Sequence, residues 1–206
     1  QFNQRIVDHA FTNLDRSGIA PSHRHTLVVG ARAAGLGEEN GLSIGNVIAT
    51  PGGITGISPL VQELLFHIDR WRVNEEIEDI RIYHCQPQGT AGYIPRTIQL
   101  LPVDLEWLHK LEISRWQSRV LPTFTMDKDQ LFSALIKQHM YIALFRACAE
   151  SLAAENAARV ASMQNIESNI EDRITELTQA YHRQRQNQID AELLDIVSGY
   201  DAVINA

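Results

Sequence analysis

The sequence predicts a two-part α/β protein, with a small α/β domain over residues 1–126, connector included, and one very long helix over residues 127–206. Three observations predict it. Short apolar runs rich in β-branched residues recur between residues 26 and 103 and end in glycine-containing turns. A helix-period segment separates them near residues 59–71. From Thr123 to Ser198 neither glycine nor proline occurs, and apolar residues return at every third or fourth position.

The elements follow in order. Residues 2–14 read as a first amphipathic helix, which would cover only about 20 Å at the helical rise. "TLVVGAR" (26–32) and "LSIGNVIAT" (42–50) read as strands, with the glycine-rich "GARAAGLGEENG" (30–41) turning between them. Pro51, Gly52, Gly53 and Gly56 make a second loop. Ser58 is placed to cap the helix "PLVQELLFHIDRW" (59–71), with Pro59 at its first position and Glu63 near its positive end. "DIRIYHCQ" (79–86) and "RTIQLLPV" (96–103) are again strand-like and enclose a glycine- and proline-containing loop. Residues 104–126 form a connector whose Trp107 and Trp116 are expected to seal the junction between the two halves. Asp127 then caps the long helix, with Gln130 in the capping-box position. Run to Ser198, that helix would be roughly 105 Å long, against a diameter of about 45 Å for a compact chain of this size. It must project, or fold back at a kink without glycine.

The long helix carries a stripe: Met163, Ile166, Ile170, Ile174, Leu177, Tyr181, Arg185, Ile189, Leu193, Ile196 and Tyr200, at a mean step of about 3.7 residues. The step is too loose for a strict heptad. Left in water, about ten such side chains would each forgo on the order of 1.5–3 kcal/mol of burial. Nothing else in the chain is long enough to cover them, so the cover must be a further segment, a second copy or another protein. The isolated chain is therefore expected to self-associate through this helix. Arg185 interrupts the apolar series. It either extends its charged head to water or pairs with a carboxylate through its two-pronged fork.

Composition excludes several functions. With 206 residues, 44% hydrophobic and 21% charged, the chain is that of an ordinary soluble protein, and its net charge of −7 without a basic stripe argues against nucleic acid. No apolar run reaches the roughly 20 residues of a membrane span, and the polar N-terminus is unlike a secretory signal, so a cytoplasmic setting is expected. The chain starts at Gln1 rather than Met, which leaves room for a preceding segment. Cys85 and Cys148 read as two free thiols. Gly30 and Gly35 have the spacing of a phosphate loop, but Leu36 and Gly37 stand where Lys and Ser/Thr are required. His23, His25 and His84 lack metal-ligand spacing. No catalytic group, cofactor site or metal site is expected.

The run "ESLAAENAARVASMQNIESNIEDRITELTQAYHRQRQNQIDAELLDIVSG" (150–199) resembles the C-terminal helix of the gamma subunit of F-type ATP synthases. The matching positions are Glu150, Ser151, Glu155, Ala158, Arg159, Met163, Asn169, Leu177, Thr178, Tyr181, Arg185, Gln186, Ile189, Glu192, Leu193, Ile196, Val197 and Gly199. In residues 30–41, Arg32, Gly35 and Leu36 echo the family's loop. Asp190, His182, Ile166 and Ile170 depart from its pattern and suggest a divergent or alternative branch. The family's long N-terminal helix is lacking in this chain, in keeping with the uncovered stripe.

The resemblance implies a small Rossmann-like α/β foot followed by the long helix of a coiled-coil shaft. It implies a non-catalytic rotor subunit that couples ion flow to ATP synthesis or hydrolysis at the cytoplasmic face of a membrane. The implied partners are the alpha and beta subunits of a catalytic ring, the epsilon subunit and the membrane ion-conducting ring. Arg185, Gln186, Ile189, Asp190 and Leu193 would contact the ring, while Met163, Ile166, Ile170, Ile174, Leu177, Tyr181 and Ile196 would pack the shaft. Two rival readings remain: a stand-alone coiled-coil adaptor using the same stripe, and a nucleotide-binding α/β protein acting through the Gly35 loop.

Overall fold

The structure is a computed structural model that describes residues 2–89, 92–116, 118–120 and 123–204, the side chains of 197–204 excepted. Tyr200 of the stripe, and Val197 and Gly199 of the motif, thus lie outside the described side chains. The element order is α1 (Phe2–Arg16), β1 (Leu27–Val29), α2 (Ala31–Glu39), β2 (Asn46–Ile48), α3 (Ile57–Asn74), β3 (Ile80–Gln88), β4 (Gly92–Leu101), α4 (Leu105–Ile113) and α5 (Lys128–Ile204). Short 3-10 turns at Pro21–His23 and Ile54–Gly56 precede β1 and α3. The chain forms two compact units, Gln1–Ala158 and Arg159–Ala206, so the first part of α5 belongs to the first unit.

The strands do not join one sheet among the described residues. β1 and β2 pair in parallel, with Val28 opposite Val47, and β3 and β4 form a separate antiparallel hairpin. The hairpin is longer than the sequence suggests, because Pro87 and Pro95 lie within its strands opposite Tyr93 and Cys85. Proline lacks a donor, and each strand of a two-stranded ribbon has an unpaired edge that tolerates it.

Residues 30–41 are not a loop. α2 starts directly after Gly30, which has φ +106° and would place a Cβ 2.9 Å from Thr50 Cγ2. The alanines, Leu36 and the two glutamates favour a helix, and Gly37 permits close approach of Ile44, whose Cδ1 would stand 3.1 Å from an added Cβ. α3 begins one residue before Ser58, with Gly56 at its N-cap and Pro59 within its first turn. Ser58 instead meets Tyr141 of α5 through its hydroxyl. The connector contains α4, capped by Asp104, whose side chain accepts from the Glu106 amide at 2.9 Å. Asp127 starts α5 as expected, accepting from the amides of Asp129 and Gln130.

One core organises the first unit. Ile57, Leu60, Val61, Leu64 and Ile68 line one face of α3 at helical spacing and meet Ile48 of β2, Ile80 and Leu100 of the hairpin, and Met140 and Leu144 of α5. α1 packs on α2 and the hairpin. There Phe2 meets Tyr93, Arg5 lies over the same ring, and His9 Nε2 is 2.9 Å from Thr97 Oγ1. Trp107 lies tilted against His139 of α5, with ring centroids 4.8 Å apart, and Trp116 donates its indole N–H to the Val120 carbonyl; both tryptophans are exposed, so neither is the buried seal expected of it.

Candidate functional site

The long helix forms because nothing in its sequence stops it. Local bonds add to its ladder: Arg173 reaches Glu176 at 2.9 Å, and the Thr175 and Thr178 hydroxyls donate to the carbonyls of Glu171 and Ile174. Every described side chain from Ser162 to Ile196 is exposed. Met163 is 61% exposed, Ile174 58%, Tyr181 62% and Leu193 55%, values far outside those of the core.

At about 100° per residue, Met163, Ile166, Ile170, Ile174, Leu177 and Tyr181 fall within an arc of about 80°. Arg185, Gln186, Ile189, Asp190 and Leu193 fall within an adjoining arc of about 140°, with Ile196 inside it and Arg185 at the boundary. The helix thus brings the predicted shaft-packing residues from Met163 to Tyr181 onto one continuous face and the predicted contact residues onto the face beside it, where Ile196, expected to pack the shaft, also falls. Glu176 and Arg183 occupy the far side, and Asp172 lies in line with Asp190 at the outer edge of the contact arc. An apolar face of this length, with one arginine at its edge, can dock a helix along one arc and a polar loop along the other.

The same helix is anchored at its other end. Met140, Leu144, Ala147 and Ala154 are buried. The Tyr141 hydroxyl donates to Ser58 Oγ at 3.2 Å, and Lys137 approaches Asp69 at 3.4 Å on the surface. Deeper, His84 Nε2 on β3 is 2.9 Å from Glu150 Oε2, while Arg146 Nε donates to Glu150 Oε1 at 2.7 Å. Burial acts to raise the Glu150 carboxyl, but the hydrogen bonds from Arg146 and His84, with their charges, together hold it below its ordinary value. His84 is buried and its Nδ1 has no protein partner among the described residues. Sequence reasoning sees only a strand histidine here. The signal available is the motif residue Glu150, one position that the stripe does not need.

The remaining candidates behave as ordinary structure. Cys85 and Cys148 are free thiols, each pushed up to about 11 by burial, with Arg5 opposing the rise at Cys85. A shallow cleft of roughly 350 Å³ lies between the end of β2 and the start of α3, lined by residues that include Val47, Pro51, Pro59, Leu60 and Glu63. Its lining offers a carboxylate and no cation, which is the wrong charge for a phosphate. No described helix is long and apolar enough to cross a membrane.

Residues 1–203 match the sequence model of the family described as ATP synthase. Relatives include the ATP synthase gamma chain of Syntrophus aciditrophicus, 31% identical over 131 residues, a match that takes in 64% of this chain and 44% of that protein. Another is the gamma chain of Desulfosudis oleivorans, 30% identical over 133 residues, 64% of this chain and 45% of that one. The chain therefore spans less than half the length of these relatives in the matched region. Among solved structures, the rotor of the Euglena gracilis mitochondrial ATP synthase superposes with a TM-score of 0.58 at 17% identity, covering 89% of this chain and 70% of that one. A chain of the same organism's OSCP/F1/c-ring assembly gives 0.60 at 20% identity, covering 87% and 62%. These two likenesses show the fold, a mixed α/β unit with a long C-terminal helix. With the family match running through α5 to residue 203, the chain belongs to the gamma-chain family of ATP synthases.

Proposed function

We propose that this chain acts in the central stalk of an ATP synthase, where its long helix couples rotation of a membrane ion-conducting ring to ATP synthesis or hydrolysis in a catalytic ring. The observation that carries this reading is the exposed stripe from Met163 to Ile196, a surface that none of the described residues covers. In this reading the helix stands among alternating alpha and beta subunits, and the α/β unit engages the epsilon subunit and the membrane ring from the cytoplasmic side. The chain makes and breaks no bonds. Its work is differential contact, because an asymmetric shaft that touches each catalytic subunit differently gives each a different nucleotide affinity.

Arg185 and Gln186, with Ile189, Asp190 and Leu193 beside them, are the proposed contact residues for catalytic-ring loops. The residues from Met163 to Tyr181, with Ile196, pack against a second shaft helix. Arg185 has no hydrogen-bond or ion-pair partner among the described residues, so its fork is available to a carboxylate of another chain. If that contact is buried, its loss costs about 2–5 kcal/mol at the contact.

The test is Arg185→Ala and Gln186→Ala in the assembled complex, measuring ATP turnover and ion pumping beside thermal melting of the isolated chain. Altered turnover and pumping with unchanged melting is the expected result. Unchanged turnover and pumping would remove the contact role, and failure of the unmodified chain to enter a complex with alpha and beta subunits would return the stripe to a stand-alone adaptor.

A further inference from the structure

We propose that the His84–Glu150 pair, braced by Arg146, is the joint that passes torque between the β3–β4 hairpin and α5. This inference rests on the central-stalk reading and deepens it by naming positioning residues within the α/β unit. A twisting load on α5 must be resisted where the helix meets the rest of its unit. The apolar part of that contact, Met140 and Leu144 against Ile80 and Leu100, is strong but non-directional, and such surfaces permit small rotations. A hydrogen bond to a charged group is directional in distance and angle, and it opposes rotation of the helix about its own axis.

The geometry suits that task. His84 and Glu150 lie 66 positions apart in sequence, on strand and helix, and meet at 2.9 Å with the His84 side chain almost fully buried. A carboxylate only accepts, so Nε2 carries the proton and donates to it. Arg146, one turn before Glu150 on α5, holds the other carboxylate oxygen at 2.7 Å and fixes the rotamer. The surrounding polar contacts are looser: Tyr141 to Ser58 at 3.2 Å and the exposed Lys137 to Asp69 at 3.4 Å.

The hairpin in turn is held from behind. Successive residues of a strand face opposite sides, so His84 faces α5 while Tyr83 and Cys85 face α1, where His9 packs edge-on against Tyr83 and Arg5 lies near Cys85. His9 also bonds Thr97 across the ribbon. A load from α5 thereby reaches β3 through one bond and is backed by α1 through another.

The experiment uses the assembled complex and measures ion pumping and ATP hydrolysis against an increasing opposing ion gradient, for the unmodified chain, His84→Leu, His84→Gln, Glu150→Gln and Lys137→Ala. The expected result is slip: in His84→Leu the pumping-to-hydrolysis ratio falls as the gradient rises, while hydrolysis without a gradient is unchanged. His84→Gln, which can still donate to Glu150, restores most of the ratio, and Lys137→Ala leaves it intact. Amide exchange of residues 80–88 in His84→Leu should rise by about tenfold or more, as loss of a hydrogen bond to a charged group implies.

A ratio independent of the gradient in His84→Leu would overturn the joint, as would equal loss of pumping and hydrolysis at every gradient, the mark of a merely structural role. Should His84→Leu fail to assemble, Glu150→Gln is read the same way, with slip supporting the joint and its absence overturning it. An unmodified chain that supports no pumping would overturn the central-stalk reading itself, and the joint with it.

Discussion

Val61 and Ile174 are both β-branched aliphatic residues on helices of one chain, yet the first is 0% exposed and the second 58%. The same contrast divides the molecule. In Gln1–Ala158 the apolar periodicity of α3 is answered by Ile80, Leu100, Met140 and Leu144 of other elements. In the stretch from Met163 to Ile196 an equally regular periodicity is answered by nothing among the described residues. Periodicity alone therefore marks a face to be covered, and only the count of available covering elements shows whether the chain covers that face itself.

The largest effect that can break this comparison is a pair of matched truncations. Ile57→Ala removes a fully buried side chain and should destabilise the chain by about 2–5 kcal/mol. Ile174→Ala on the exposed stripe should change the melting of the first unit by no more than about 0.5 kcal/mol. Urea unfolding followed by circular dichroism of both variants decides it, and equal costs would mean that the stripe is covered after all.

A second test concerns the stripe alone. Because an isolated helix draws most of its stability from packing, the chain should self-associate with rising concentration in sedimentation. Ile174→Asp with Leu177→Asp should abolish that association and leave the first unit's melting unchanged. A strict monomer whose residues 163–196 resist protease would contradict this.

A smaller effect sharpens the packed side of the comparison. The Glu150 carboxyl is held below its ordinary value of 4.5, so its folded form binds its proton less readily than the unfolded one. Its contribution is complete above that ordinary value and is lost as pH falls through the lower folded value. The stability difference between the unmodified chain and Glu150→Gln should therefore shrink as pH falls below 4.5. A difference that does not shrink below pH 4.5 would contradict the pairing with His84 and Arg146.

The sequence makes some of this legible and hides the rest for physical reasons. The long helix can be read because the absence of breakers is a local property, and its cap at Asp127 is a local motif. The stripe can be read because periodicity survives without tertiary context. α2 cannot, because Gly35 and Gly37 argue for a turn until Ile44 is seen pressing on Gly37. α4 is hidden inside a connector although Asp104 supplies the cap signal. Ser58 misleads because a serine before a proline fits an N-cap, while its actual partner, Tyr141, comes from a distant helix. The contact between His84 and Glu150 is likewise non-local, and no spacing rule joins positions so far apart. On α5 the candidate residues are legible as positions, but their division into two adjoining arcs holds only where residues 163–196 form one uninterrupted helix.

Amide hydrogen exchange tests most directly whether residues 163–196 form a face reserved for another chain, measured in the dilute isolated chain and again in the complex with alpha and beta subunits. Rapid exchange across this segment is expected in isolation, beside strong protection of α3, with protection of both in the complex. Strong protection of residues 163–196 in the dilute isolated chain, unchanged on assembly, would contradict a face kept for a partner.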